Sequence, residues 1–119
     1  MIELLWAHLA DAGLPLSDYP TALERFFALI VKPELAAQIA FTDFYAAGQI
    51  PARSAAAIEV LDPVNAGNNV AELYRVADRD RIVAESHRSL SALNEARFAP
   101  TKGQAVVCWQ RVLGPTFTG

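Results

Sequence analysis

Asp78-Arg79-Asp80 places two carboxylates at the spacing that can hold a metal ion. On a strand, residues i and i+2 share a face, so both carboxylates would reach one cation. Here the pair opens a stretch of helical periodicity through Ile82, Val83 and Leu93. On a helix the two side chains diverge, and acids in a first turn answer the helix dipole; that is the role expected here. Ser86-His87 raises nucleophilic chemistry, but adjacent helical residues point apart and no acid is placed to orient the imidazole. His8 and His87 are far apart and have no partners at metal-ligand spacing. Cys108, the one cysteine, lies in the apolar run Val106-Val107-Cys108-Trp109. It reads as a small buried hydrophobe, not as part of a disulfide framework or zinc site. No catalytic residue is assigned.

The stretch from Leu61 to Ala71 is the most structured signal in the chain. An apolar run ends in Asp62-Pro63, turns through Asn65, Gly67, Asn68 and Asn69, and leads into Val70-Ala71. Proline keeps the residue before it out of the helical region, so Asp62-Pro63 is extended or turning. Asn and Asp side chains close turns onto nearby backbone N–H groups. Asp62 accordingly reads as a turn residue, and Asn68 or Asn69 as the cap of a helix starting at Val70.

Periodicity places the surrounding elements. Ile2, Leu5, Trp6 and Leu9 fall on one helical face. This helix has no cap or lead-in, which suggests chain ahead of it; Gly13 and Pro15 stop it. Asp18 caps a second helix, with Leu23, Phe26, Phe27 and Ile30 on one side and Pro33 at its end; Glu34 to Ala37 could add a turn. Residues 38–44 and 57–61 alternate in polarity around Gly48 and Pro51, which fits two short extended segments, drawn as one hairpin. A long helix capped by Asp78 runs to about Phe98, with Ile82, Val83, Ser86, Leu90 and Leu93 on its apolar face and Arg81, Glu85 and Arg88 opposite. After Pro100, Thr101 caps a last helix, Gly103 to Leu113, turning Val106, Trp109 and Leu113 inward. The fold class expected is mainly α, a four- to five-helix bundle with a short extended or hairpin insertion, one helical domain over residues 1–119.

At 119 residues with 53% hydrophobic and 19% charged side chains, the chain can bury one core. Its net charge of -3 argues against a general nucleic-acid binder. The charge is uneven, -5 over residues 1–62 and +2 over residues 63–119. Arg75, Arg79 and Lys102 are the best candidates for contacting phosphate, against the plainer reading of solvated helix faces. No apolar run reaches a membrane span, and Met1-Ile2-Glu3-Leu4-Leu5 has no signal-peptide pattern, so a cytoplasmic protein is expected.

Taken in order, these elements resemble the helical half of template-independent nucleotidyltransferases. Ile2-Glu3-Leu4-Leu5 looks like the family's helix after the catalytic domain, and Phe41-Thr42-Asp43-Phe44-Tyr45 like its short extended piece. Val60 to Asn65 with Asn69-Val70-Ala71 looks like its "DP…NVA" element, and Trp109 with Leu113-Gly114-Pro115-Thr116-Phe117 like its ending. The match spans nearly the whole chain. It is similar to oligoadenylate-synthetase-like enzymes and to the cyclic-oligonucleotide synthases of bacterial antiphage systems; archaeal CCA-adding enzymes share the DP…NVA element. The resemblance implies a C-terminal substrate-binding domain that closes one side of a nucleotide and acceptor cleft. It implies that Asp62, Asn65, Asn68, Asn69 and Arg75 are the candidates for lining that cleft. The family's catalytic domain carries a Gly-Ser signal and three carboxylates for two Mg²⁺ ions; this chain has no Gly-Ser dipeptide. Inactivity alone is therefore expected, with no cofactor bound by this chain and Mg²⁺ and NTP used only by the complete enzyme. The partner expected is a catalytic nucleotidyltransferase domain or chain, with nucleotide, and with a homodimer plausible through an apolar surface near Trp6 and Leu9. The alternative is a stand-alone protein-interaction or scaffold module without nucleotide binding.

Overall fold

In the computed structural model, residues 1–33, 35–46 and 48–119 are described, and four helices carry the architecture. They are α1 (Ile2–Asp11), α2 (Tyr19–Val31), α3 (Val76–Arg97) and α4 (Lys102–Leu113), with a short 3₁₀ turn at Thr42–Phe44. The mainly α architecture expected from periodicity is the one formed. Several ends follow local chemistry. The Asp18 carboxylate accepts the Thr21 N–H at 3.3 Å and the Thr21 hydroxyl at 2.7 Å, and Thr101 Oγ1 accepts the Gln104 N–H at 3.2 Å. Gly13, at φ +86°, takes the left-handed conformation that ends α1 without a Cβ clash. Of the turn expected at Glu34 to Ala37, Glu34 lies outside the described residues; Leu35 donates its N–H to the Ile30 carbonyl at 3.1 Å. Leu35 is left-handed at φ +53°, a cost for a leucine offset by burying its side chain to 1% exposure.

The core lies where α1 and α2 meet the segment between α2 and α3. Leu5, Phe26, Ile30, Leu35, Ile39, Ile58, Val60 and Ala71 are buried together, with Ile82 and Val83 of α3 packed against them. Ser86 and Leu93 continue that face of α3, and Cys108 is buried on α4 as expected. Glu85 and Arg88 pair on the solvent side of α3.

Three local expectations give way to tertiary contacts. Residues 38–44 and 57–61 do not form an extended hairpin: the stretch expected to be extended at 41–45 turns instead as 3₁₀ at Thr42–Phe44, and Ile39 bridges Val60 in parallel, the Ile39 N–H reaching the Glu59 carbonyl and the Leu61 N–H the Ile39 carbonyl, both at 2.9 Å. The antiparallel pairing forms instead between Leu61 and Asn69, across the Asn-rich turn. No helix starts at Val70, because the Asn69 side chain is committed to Val60 and Ile58. α3 begins at Val76, so Asp78 sits in its third position and accepts the Arg75 N–H at 2.9 Å instead of capping from outside.

Candidate functional site

The Asn-rich turn is built from its own side chains. Asp62 Oδ1 accepts the Val64 N–H at 2.8 Å and Asp62 Oδ2 accepts from Asn68 Nδ2 at 3.2 Å. The Asp62 N–H meets the Asn68 carbonyl at 2.9 Å, and the Tyr45 hydroxyl donates to the Asp62 carbonyl at 2.7 Å. Asn65 Oδ1 accepts the Gly67 N–H at 3.0 Å. These bonds hold the charged form of Asp62, above all the Val64 N–H and then Asn68, so its carboxyl titrates below the usual carboxylate range.

Asn69 does more than cap a turn. Its Oδ1 accepts the N–H groups of Val60 and Ala71, each at 3.0 Å, and its Nδ2 donates to the Ile58 carbonyl at 2.9 Å. The side chain stands in for a strand's peptide group and fastens the turn to the buried Ile58–Leu61 run. Asp62, Asn65, Asn68 and Asn69 are thus brought together in one turn, and four side chains there are engaged with it. Arg75 follows at the start of α3, exposed, its guanidinium in no ion pair among the described residues.

The polar cluster beneath this turn was not foreseen. Glu59, only 3% exposed, reads in the sequence as the polar member of an alternating strand. Its carboxylate lies 3.4 Å from Arg53 and accepts from Gln38 Nε2 at 3.2 Å and from the Ser54 N–H at 3.3 Å. Arg53 also donates to the carbonyls of Ala36, Ser54 and Ala56 at 2.9, 2.6 and 2.9 Å. One guanidinium and one carboxylate therefore close the loop between the paired segments. A Pro and an Arg ahead of an alternating run were the only sequence signals for it.

The other chemistry-bearing residues stay apart. Asp78 accepts from Arg75 and Asp80 pairs with Arg79 at 3.1 Å, so the two carboxylates face different partners. Among the described residues, no three His, Cys, Asp or Glu side chains gather as a metal site. His8 packs edge-on against Phe41, ring centres 5.9 Å apart, while His87 lines a groove with Glu24 and Arg97 on the α2–α3 side. Trp6, expected on a bare apolar face, stacks on Phe26 at 4.5 Å, and Leu9 packs against the core. No helix is long and apolar enough to cross a membrane among the described residues.

Because Asp62 is depressed in the folded state, the sign of its pH dependence is fixed. Its contribution to stability is present above the unfolded value near 3.8 and is lost as pH falls through the lower folded value. Asp62→Asn should therefore flatten the fall in melting temperature below about pH 4. Parallel melting curves for the two proteins from neutral pH down to that range would show the turn not to depend on this carboxylate.

No protein-family model matches the chain. All 119 residues align, 42% identical, with a cyclic AMP-AMP-AMP synthase of Escherichia coli strain MS 115-1, and they span 37% of that protein's length. The structure of E. coli MS115-1 CdnC with ATP superposes with a TM-score of 0.91 and 40% identity over 98% of this chain and 36% of that one. CdnC in its CdnC:HORMA-deltaN complex superposes with a TM-score of 0.90 and 40% identity, over 98% of this chain and 37% of that one. The chain corresponds over its whole length to the helical, C-terminal part of a nucleotidyltransferase of this kind.

Proposed function

We propose that the chain is the substrate-side half of a template-independent nucleotidyltransferase that makes a cyclic oligonucleotide messenger in bacterial antiphage defence. In this reading it works in the cytoplasm beside a catalytic half that supplies the carboxylates. The observation that carries the proposal is the whole-length likeness to the E. coli synthase, at a TM-score of 0.91, with the Asp62–Ala71 turn fully built. Phosphoryl transfer in such enzymes needs two metal ions to stabilise the attacking and leaving oxygens. In this reading Mg²⁺ and NTP are handled by the assembled enzyme.

In this reading the site residues divide their labour. Asp62, Asn65 and Asn69 hold the turn in one shape, and the turn as a whole forms one side of the substrate cleft. Asn68 keeps its amide nitrogen on Asp62. Arg75 is the member that meets substrate: an exposed guanidinium offers a planar fork of donors that fits phosphate oxygens. Calorimetric titration of ATP into the chain mixed with the remainder of the E. coli synthase tests this. Arg75→Ala should weaken ATP binding about tenfold, the worth of one lost charge-assisted contact. Unchanged affinity would remove Arg75 from the cleft.

A further inference from the structure

The bonds inside the Asp62 turn fix its shape, but its seat on the rest of the molecule depends on what ties it down. At one end Asn69 fastens it to the Ile58–Leu61 run. At the other end the Tyr45 hydroxyl donates to the Asp62 carbonyl at 2.7 Å, from 17 residues earlier in the chain. Among the described residues this is the one side-chain hydrogen bond that reaches residues 62–68 from outside the turn. The Asp62 carbonyl also accepts the Asn65 N–H at 3.1 Å, so the turn stays closed with or without the hydroxyl. What the hydroxyl adds is attachment to a second part of the fold.

That second part is firmly placed. Tyr45 directly follows the 3₁₀ turn Thr42–Phe44, whose Phe44 N–H closes on the Phe41 carbonyl at 3.0 Å. Phe41 is 4% exposed and meets His8 of α1 edge-on at 5.9 Å and Phe44 at 6.3 Å. A buried ring therefore holds this segment against α1, and one hydroxyl passes its position on to the Asp62 turn. Burial raises the Tyr45 pKa, against a lowering by the Phe41 backbone and with a further rise from the Asp62 charge. The phenol thus keeps its proton near neutral pH and stays a donor.

We propose that Tyr45 is a positioning residue for nucleotide binding, acting through the Asp62 carbonyl to set where the substrate-side turn stands. The proposal rests on the function proposed above and deepens it. Its test is steady-state incorporation of ATP by the recombinant remainder of the E. coli synthase mixed with this chain, wild type or Tyr45→Phe. Phenylalanine keeps the ring and its packing and removes only the donor, so the variant should fold, and its melting curve checks this. KM for ATP should rise about fivefold, the worth of one hydrogen bond. The kcat should change by less than about twofold, since the chemistry is left to other groups. A lower kcat at unchanged KM is what a smaller folded fraction gives, and would show a merely structural role. Kinetics equal to wild type would show no role. Either result would overturn the positioning assignment while leaving the proposed function standing. No product from the mixture holding the wild-type chain would overturn the proposed function itself, and this assignment with it.

Discussion

Asn69→Ala should cost about 3 kcal/mol of folding stability, from the loss of three hydrogen bonds to backbone groups in or beside the core at roughly 1 kcal/mol each or more. The Val60 and Ala71 N–H groups and the Ile58 carbonyl have the Asn69 amide as a partner, and Ile58, Val60 and Ala71 are each 1% exposed or less. Truncation leaves these groups without that partner where water is largely excluded, so the loss is the desolvation penalty and not the small net worth of an exposed bond. Asn69→Asp separates the two ends of the amide. It keeps the acceptor for Val60 and Ala71 and places a carboxylate oxygen against the Ile58 carbonyl, so it should remain well short of wild-type stability. Urea unfolding of the three proteins measures this directly. Wild-type stability for Asn69→Ala would mean that the turn is held by its backbone alone.

Arg53→Ala should cost a similar amount, about 3 kcal/mol, at the lower end of what removing one partner of a buried ion pair costs. The reasoning turns on which partner is buried. Glu59 is 3% exposed, whereas the Arg53 side chain is 31% exposed, so removing the arginine strands a carboxylate and frees the carbonyls of Ala36, Ser54 and Ala56. Glu59 would keep Gln38 and the Ser54 N–H, which do not neutralise its charge. Pairing Arg53→Met with Glu59→Leu removes both charges and should recover much of the loss, since a matched apolar pair often equals a buried ion pair. A double variant no more stable than Arg53→Ala would show that the carbonyl contacts, not the stranded charge, dominate.

Both predictions concern contacts that could not be read along the chain, and the reason is physical. The signals that translated well are local: Asp18 with Thr21, Thr101 with Gln104 and the left-handed Gly13 act within a few residues of their own position. The Asp62 turn was legible for the same reason, as its carboxylate answers an N–H two residues on. Asn69 looked equally local, a cap for the next helix, but its partners at Val60 and Ile58 lie nine and eleven residues back. That competition shifted the helix start to Val76. Polarity alternation pointed to the residues that pair, Ile39 and Val60, yet it carries no information on strand direction, and the pairing is parallel; it also missed the 3₁₀ turn at Thr42–Phe44. The Glu59–Arg53 pair was not legible because Arg53 precedes Glu59 across a loop of small residues with no periodicity to read. The four residues that build the turn were legible from their types, while the Glu59–Arg53 pair that precedes it was not.

The most direct measurement of the central claim is incorporation of labelled ATP into oligonucleotide product by the recombinant remainder of the E. coli synthase, with and without this chain. The account predicts little or no product from either piece alone and product from the mixture, reduced by Arg75→Ala. Full activity of the catalytic piece without this chain, or a mixture as inactive as its parts, would contradict the assignment of this chain as the substrate-side half.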